Sequence, residues 1–111
     1  MNIEIIRGNK IIAEFMGDIN LTKVKDDRIV PYDINYNILW DNLIPVVERI
    51  EGFNIDLNIS VVIKNNKCEI YRHKNSPYEY CIIVLESESK IKATWLAVIE
   101  FIKWYNQNNN Q

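Results

Sequence analysis

The chain has 111 residues, a formal net charge of −2, 48% hydrophobic and 25% charged side chains, and only three glycines. That length makes one domain able to bury roughly 65% of the surface its unfolded chain exposes, without metal or disulfide staples, and the composition excludes a disordered segment. The weakly acidic total excludes the overall positive field used by most nucleic-acid binders. No apolar run approaches the ~18 residues of a membrane span, and Glu4 interrupts the start where a signal peptide is continuously apolar. A soluble cytoplasmic protein is expected.

The first stretch, Asn2 to Met16, carries Ile3, Ile5, Ile6, Ile11, Ile12, Phe15 and Met16 and ends at Gly17, a natural helix terminator. Gly8 weakens its middle. The pattern predicts a helix from about Asn9, which can serve as N-cap, to Met16, and leaves open whether the segment before Gly8 is helix or a short strand. From Asp18 to Asn37 no period survives. A connection that long is uncommon in a compact domain unless it packs on the body or has a task of its own, and both readings stay open.

Ile38 to Glu51 reads as the second helix, with Leu39, Trp40, Leu43, Ile44, Val46, Val47 and Ile50 on one face and Gly52 at its end. Pro45 falls on the polar face, where it bends a helix without breaking it. Next, Phe53, Ile55, Leu57, Ile59, Val61 and Ile63 alternate with Asn54, Asp56, Asn58, Ser60, Val62 and Lys64, which predicts a long strand with one dry face. Asn65 and Asn66 both tolerate positive φ, so Lys64-Asn65-Asn66-Lys67 reads as a two-residue hairpin. Its register sets Ile63 opposite Cys68, Val61 opposite Ile70 and Ile59 opposite Arg72 on the buried side. On the other side it sets Val62 opposite Glu69, Ser60 opposite Tyr71 and Asn58 opposite His73.

A third strand, Tyr78 to Glu86, follows the turn Lys74-Asn75-Ser76-Pro77. A four-residue loop there pairs Ile70 with Cys81, Cys68 with Ile83, Arg72 with Glu79, and, on the outer face, Tyr71 with Tyr80, His73 with Tyr78 and Glu69 with Ile82. Both cysteines then read as buried small apolar residues, diagonal neighbours and not a bridge. Ser87 or Ser89 can cap the final helix, Ile91 to Tyr105. On it Ile91, Trp95, Val98, Ile102 and Tyr105 form a stripe widened by Ala97, Phe101 and Ile99, opposite Lys92, Glu100 and Lys103. The polar end, residues 106–111, is expected to fray.

Two surfaces ask for an explanation. Tyr71, His73, Tyr78 and Tyr80, rimmed by Lys64, Lys67 and Lys74, either stabilise a half-exposed sheet by cross-strand pairing or dock a protein; stacking of single-stranded nucleic acid or a nucleotide is the alternative, disfavoured by the net charge. Leu96, inside the polar wedge of the last helix, and Trp104 at its flank are either ordinary exposed side chains or a dimer or partner contact. No catalytic constellation is present: His73 is the single histidine, no serine lies in a nucleophile elbow, no glycine-rich loop precedes a helix, and the cysteines lack metal-ligand spacing. Neither enzymatic activity, a cofactor nor a metal is expected.

The segments Ile12-Ala13-Glu14-Phe15-Met16-Gly17, Trp40 with Pro45-Val46-Val47-Glu48-Arg49-Ile50-Glu51, and Ala97-Val98-Ile99-Glu100-Phe101 resemble those of small phage and prophage proteins grouped as the phage ABA-sandwich family. They lie in the three helices, which make up about a third of the chain. The resemblance implies a fold and a mobile-element origin, and no activity. The expectation is a single two-layer α+β domain over residues 1–111, of order helix, long loop (18–37), helix, three-stranded antiparallel meander, helix. Its expected role is non-enzymatic binding of a macromolecule, a protein first, with no membrane association and with weak homodimerisation compatible.

Overall fold

The computed structural model describes residues 3–17, 23–25, 28–30, 36–52, 59–72 and 80–109. In chain order the elements are α1 (Ile3–Met16), β1 (Lys23–Lys25), β2 (Arg28–Val30), α2 (Trp40–Glu51), β3 (Ile59–Lys64), β4 (Lys67–Arg72), β5 (Tyr80–Glu86) and α3 (Lys90–Asn109). β3, β4 and β5 form an antiparallel meander in that order, and β1 and β2 pair with each other. The fold is α+β. α3 lies on the meander, α2 packs on β3 and α3, and α1 packs on α3 and α2. Among the described residues no helix is long and apolar enough to cross a membrane.

α3 is covered on two sides, which is why its apolar arc is so wide. Thr94, on its sheet-facing side, hydrogen-bonds the Cys68 thiol of β4, and Trp104 lies under the Arg72 guanidinium at the end of β4, 5.8 Å from ring centroid to Cζ. Trp95 and Ile99, about a quarter-turn round the helix, face α1. Ala93 to Trp95, Ala97 to Ile99, Phe101 and Ile102 are consequently all buried. Ser89 supplies the cap: its Oγ accepts the Lys92 amide at 3.2 Å. The helix continues through the polar end to Asn109, beyond the expected fraying point.

α1 begins at Ile3, six residues before the expected start, and Asn9 is an interior residue, 7% exposed, and not a cap. Gly8 is there for space. A Cβ at Gly8 would lie 2.7 Å from Ile99 Cδ1 and 2.8 Å from Trp95 Cη2, closer than carbon atoms approach, so only hydrogen lets α1 settle on α3. Gly8→Ala in an unconstrained helix stabilises by about 1 kcal/mol. Here overpacking of about 1–3 kcal/mol opposes that gain, and the expected result of chemical denaturation is a net loss.

α2 starts at Trp40 with Leu39 as its extended N-cap residue (φ −124°), and Gly52 closes it. Leu43, Val46, Val47 and Ile50 form the buried stripe, whereas Leu39 and Ile44, expected on that face, are exposed. The stripe is narrower than the apolar sequence. Pro45 is exposed, as its place on the polar face requires. The Arg49 guanidinium stands 5.3 Å over the Phe15 ring of α1, a cation–π contact tying the ends of the two helices. Tyr36, 2% exposed, and Asn37, whose Oδ1 accepts from Asn9 Nδ2 at 3.0 Å, pin the end of the long connection. That connection also holds β1 and β2, three-residue strands paired Lys23 with Val30, Val24 with Ile29 and Lys25 with Arg28, where no regular structure was expected.

The first hairpin matches its sequence reading residue for residue, from Ile59 opposite Arg72 to Lys64 opposite Lys67, with Asn65 at φ 55° carrying the turn. The second does not. Cys68 pairs with Leu85, Glu69 with Val84 and Ile70 with Ile83, two positions from the expected register. The count then shifts by one, so that Tyr71 meets Cys81 and Arg72 meets Tyr80. The shift is a bulge at Ile82, and it lets the neighbours Ile82 and Ile83 both pack on the core. The anticipated pairs Tyr71–Tyr80, Ile70–Cys81 and Glu69–Ile82 are therefore absent, and Cys81 is exposed, not buried. The expected strand over Phe53–Asn58, the turn Lys74–Pro77, and residues His73, Tyr78 and Glu79 lie outside the described residues.

Candidate interaction surface

With the helices on one side of the meander, its opposite face is defined by the register as three rows running across the strands. Lys64, Lys67 and Glu86 make the first row, Val62, Glu69 and Val84 the second, Ser60, Tyr71 and Cys81 the third. In the second row Val62 is 40% and Val84 50% exposed, on either side of a half-buried glutamate. Lys67 Nζ stands 3.8 Å from Glu69 Oε2 across one pleat. The charges cancel: Lys64 and Lys67 are positive, Glu69 and Glu86 negative.

Of the residues singled out by sequence, Tyr71, Lys64 and Lys67 come together on this face. Tyr71 is half-buried, and its cross-strand neighbour is Cys81 in place of an aromatic ring. Tyr80 sits at the start of β5, where its backbone partner is Arg72 in place of Tyr71. Leu96 and Trp104 are not brought to this face. Both are half-buried and pack against the core, and Trp104 tilts against Phe101 at 5.7 Å besides lying under Arg72. The flank of α3 is thus partly packed, with the remainder of both side chains at the surface. Glu86 was missed as part of the surface, because the expected register left it beyond the last pair.

The two thiols differ sharply. Burial pushes the Cys68 pKa up from 9.0 to about 11; the Thr94 hydrogen bond partly offsets this and the Glu69 carboxylate adds to it. Because the folded state holds this proton to higher pH than the unfolded state, its stabilising contribution is complete below pH 9.0 and is lost as pH rises towards about 11. A Cys68→Ala variant is expected to lose that alkaline component, read as the wild-type-minus-variant difference in unfolding free energy across this window. A thiol reagent is expected to modify Cys81 in the native protein and Cys68 only on unfolding.

Asn9 is the other polar group of note. Its Oδ1 accepts the buried Trp95 indole N–H at 2.9 Å while its Nδ2 donates to Asn37, so one side chain joins α1, α3 and the segment leading into α2. Its placement satisfies Trp95, and it offers no nucleophile or proton-transfer group. Among the described residues no group of three or more His, Cys, Asp or Glu side chains is arranged to hold a metal ion. No protein-family model, curated protein or solved structure matches the chain.

Proposed function

We propose that the chain is a non-enzymatic accessory protein of phage or mobile-element type that binds a macromolecular partner, a protein in the first place, through the outer face of β3–β5. The observation that carries this reading is the second row: two valines, 40% and 50% exposed, on the face turned away from every packed helix. Cancelling charges around them favour a protein partner over nucleic acid, whose binding needs a local excess of cations. The helical segments that resemble phage and prophage proteins support the affiliation, and two free thiols fit a reducing, cytoplasmic setting.

The test is capture of partners from the native host by wild type and by Val62→Glu. This substitution adds a charge at an exposed position of the face and is expected to change stability by no more than about 0.5 kcal/mol. Loss of the captured protein with unchanged circular dichroism is the expected outcome. Equal capture by both proteins contradicts the reading, and nucleic-acid capture that falls steeply with salt replaces it.

A further inference from the structure

We infer that β5 is the contact edge of a closed two-fold dimer, in which two copies of this chain join their meanders strand to strand. The inference concerns the edge of the sheet; it shares Val84 with the outer face but not the occupant proposed there.

The two edges of the meander are unlike. In a hairpin closed by two residues, Lys64 and Lys67 exchange backbone hydrogen bonds, and so do Val62 with Glu69 and Ser60 with Tyr71. Ile59, Val61 and Ile63 then turn their amides outward, and the Val61 N–H is taken at 3.0 Å by Glu51 Oε2 at the end of α2. That edge is guarded. By the same alternation Ile83 and Leu85 bond β4, which the Ser87 amide continues by donating to Asn66 O at 3.0 Å. The N–H and C=O of Val84 and Glu86 therefore point outward from β5, where no other described element packs. Tyr80 to Glu86 contains no lysine or proline, the usual guards of such an edge, and beyond the bulge its strand is regular.

A second copy fits this edge, and charge selects its register. With the two-fold axis at Val84, that residue exchanges both backbone hydrogen bonds with its counterpart, covering the most exposed apolar side chain of the sheet. Each Glu86 then lies toward the apolar Ile82 end of the other strand, beside its own cross-strand partner Lys67. Moving the axis to Leu85 brings the two Glu86 carboxylates to diagonal positions, where they repel. The net charge of −2 sets little against association. Because Glu51 occupies the other edge, the assembly stops at two and does not grow into a filament.

Sedimentation velocity of the full chain over a wide concentration range tests this, with three variants. Val84→Pro removes only the outward N–H and spares the ladder to β4; Val84→Lys installs a charged guard and leaves the backbone intact, so it carries the test if the proline variant does not fold. Val62→Glu is the control on the outer face. A monomer–dimer equilibrium weakened at least about tenfold by both Val84 variants, equivalent to about 1.4 kcal/mol, and unchanged in Val62→Glu is the expected result. A wild type monomeric throughout, even one that captures a foreign extended peptide, overturns the inference, as does a dimer indifferent to both Val84 variants or growth beyond two.

Discussion

Phe101→Ala is expected to cost about 3–5 kcal/mol, a large part of the roughly 5–15 kcal/mol that holds a domain of this size together. Phe101 is completely buried and is the largest such side chain among the described residues. Its ring stacks with Tyr105 at 6.2 Å and an interplanar angle of 16°, and tilts against Trp104 at 5.7 Å, so truncation also loosens the two rings that close the end of the sheet. The surroundings cannot collapse into the void, because α3 is clamped between the sheet and α1. Urea denaturation should give this loss, while Val62→Ala on the outer face should stay within about 0.5 kcal/mol of wild type. A loss under about 1.5 kcal/mol for Phe101→Ala would mean that α3 is not the central layer.

The second large effect belongs to Asn9. Asn9→Leu keeps the volume but leaves the Trp95 indole N–H, buried with a residue exposure of 5%, without its acceptor, at an expected cost of about 2–3 kcal/mol. Asn37 is partly exposed and recovers its lost bond from water. Trp95→Phe, which removes the donor instead, also leaves a cavity. Combining the two removes both halves of the hydrogen bond, so the double variant should be less destabilised than the sum of the singles by about 1 kcal/mol or more. Strict additivity would show that the bond contributes nothing to the docking of α1.

The parts of the fold that depend on one strong local signal were legible in the sequence. The wide apolar arc from Ile91 to Tyr105 marked the final helix, and Asn65-Asn66 set every described pair of the first hairpin. The second hairpin failed because its register was counted across an assumed four-residue loop, and because Cys81-Ile82-Ile83-Val84-Leu85 is an unbroken apolar run that hides a bulge. With that slip went the Tyr71–Tyr80 pair, while His73 and Tyr78, the rest of the expected strip, lie outside the described residues. A tertiary contact decided α1: Gly8 looks like a weak point in a helix until Trp95 and Ile99 are seen beneath it, and Asn9 looks like a cap until Trp95 donates to it. β1 and β2, three residues each, are too short to carry a period at all.

For the candidate surface, the identity of the face was legible and its composition was not. Val62 and Lys64 follow from strict alternation along β3, whereas the third column of the grid depends on long-range pairing to β5 that composition does not encode. Trp104 shows the same limit: Arg72, placed at the end of β4 by the first hairpin, covers a ring that helical periodicity alone left at the margin.

The proposed binding face depends on the row Val62, Glu69, Val84 standing together on the side away from the helices, and one nuclear Overhauser measurement tests it. Glu69 and Val84 form a pair that exchanges no backbone hydrogen bonds, the geometry in which α-protons of adjacent antiparallel strands come closest. A strong α-proton contact between Glu69 and Val84 is the predicted result; a contact between Glu69 and Ile82 in its place would contradict it, moving Val84 out of the row.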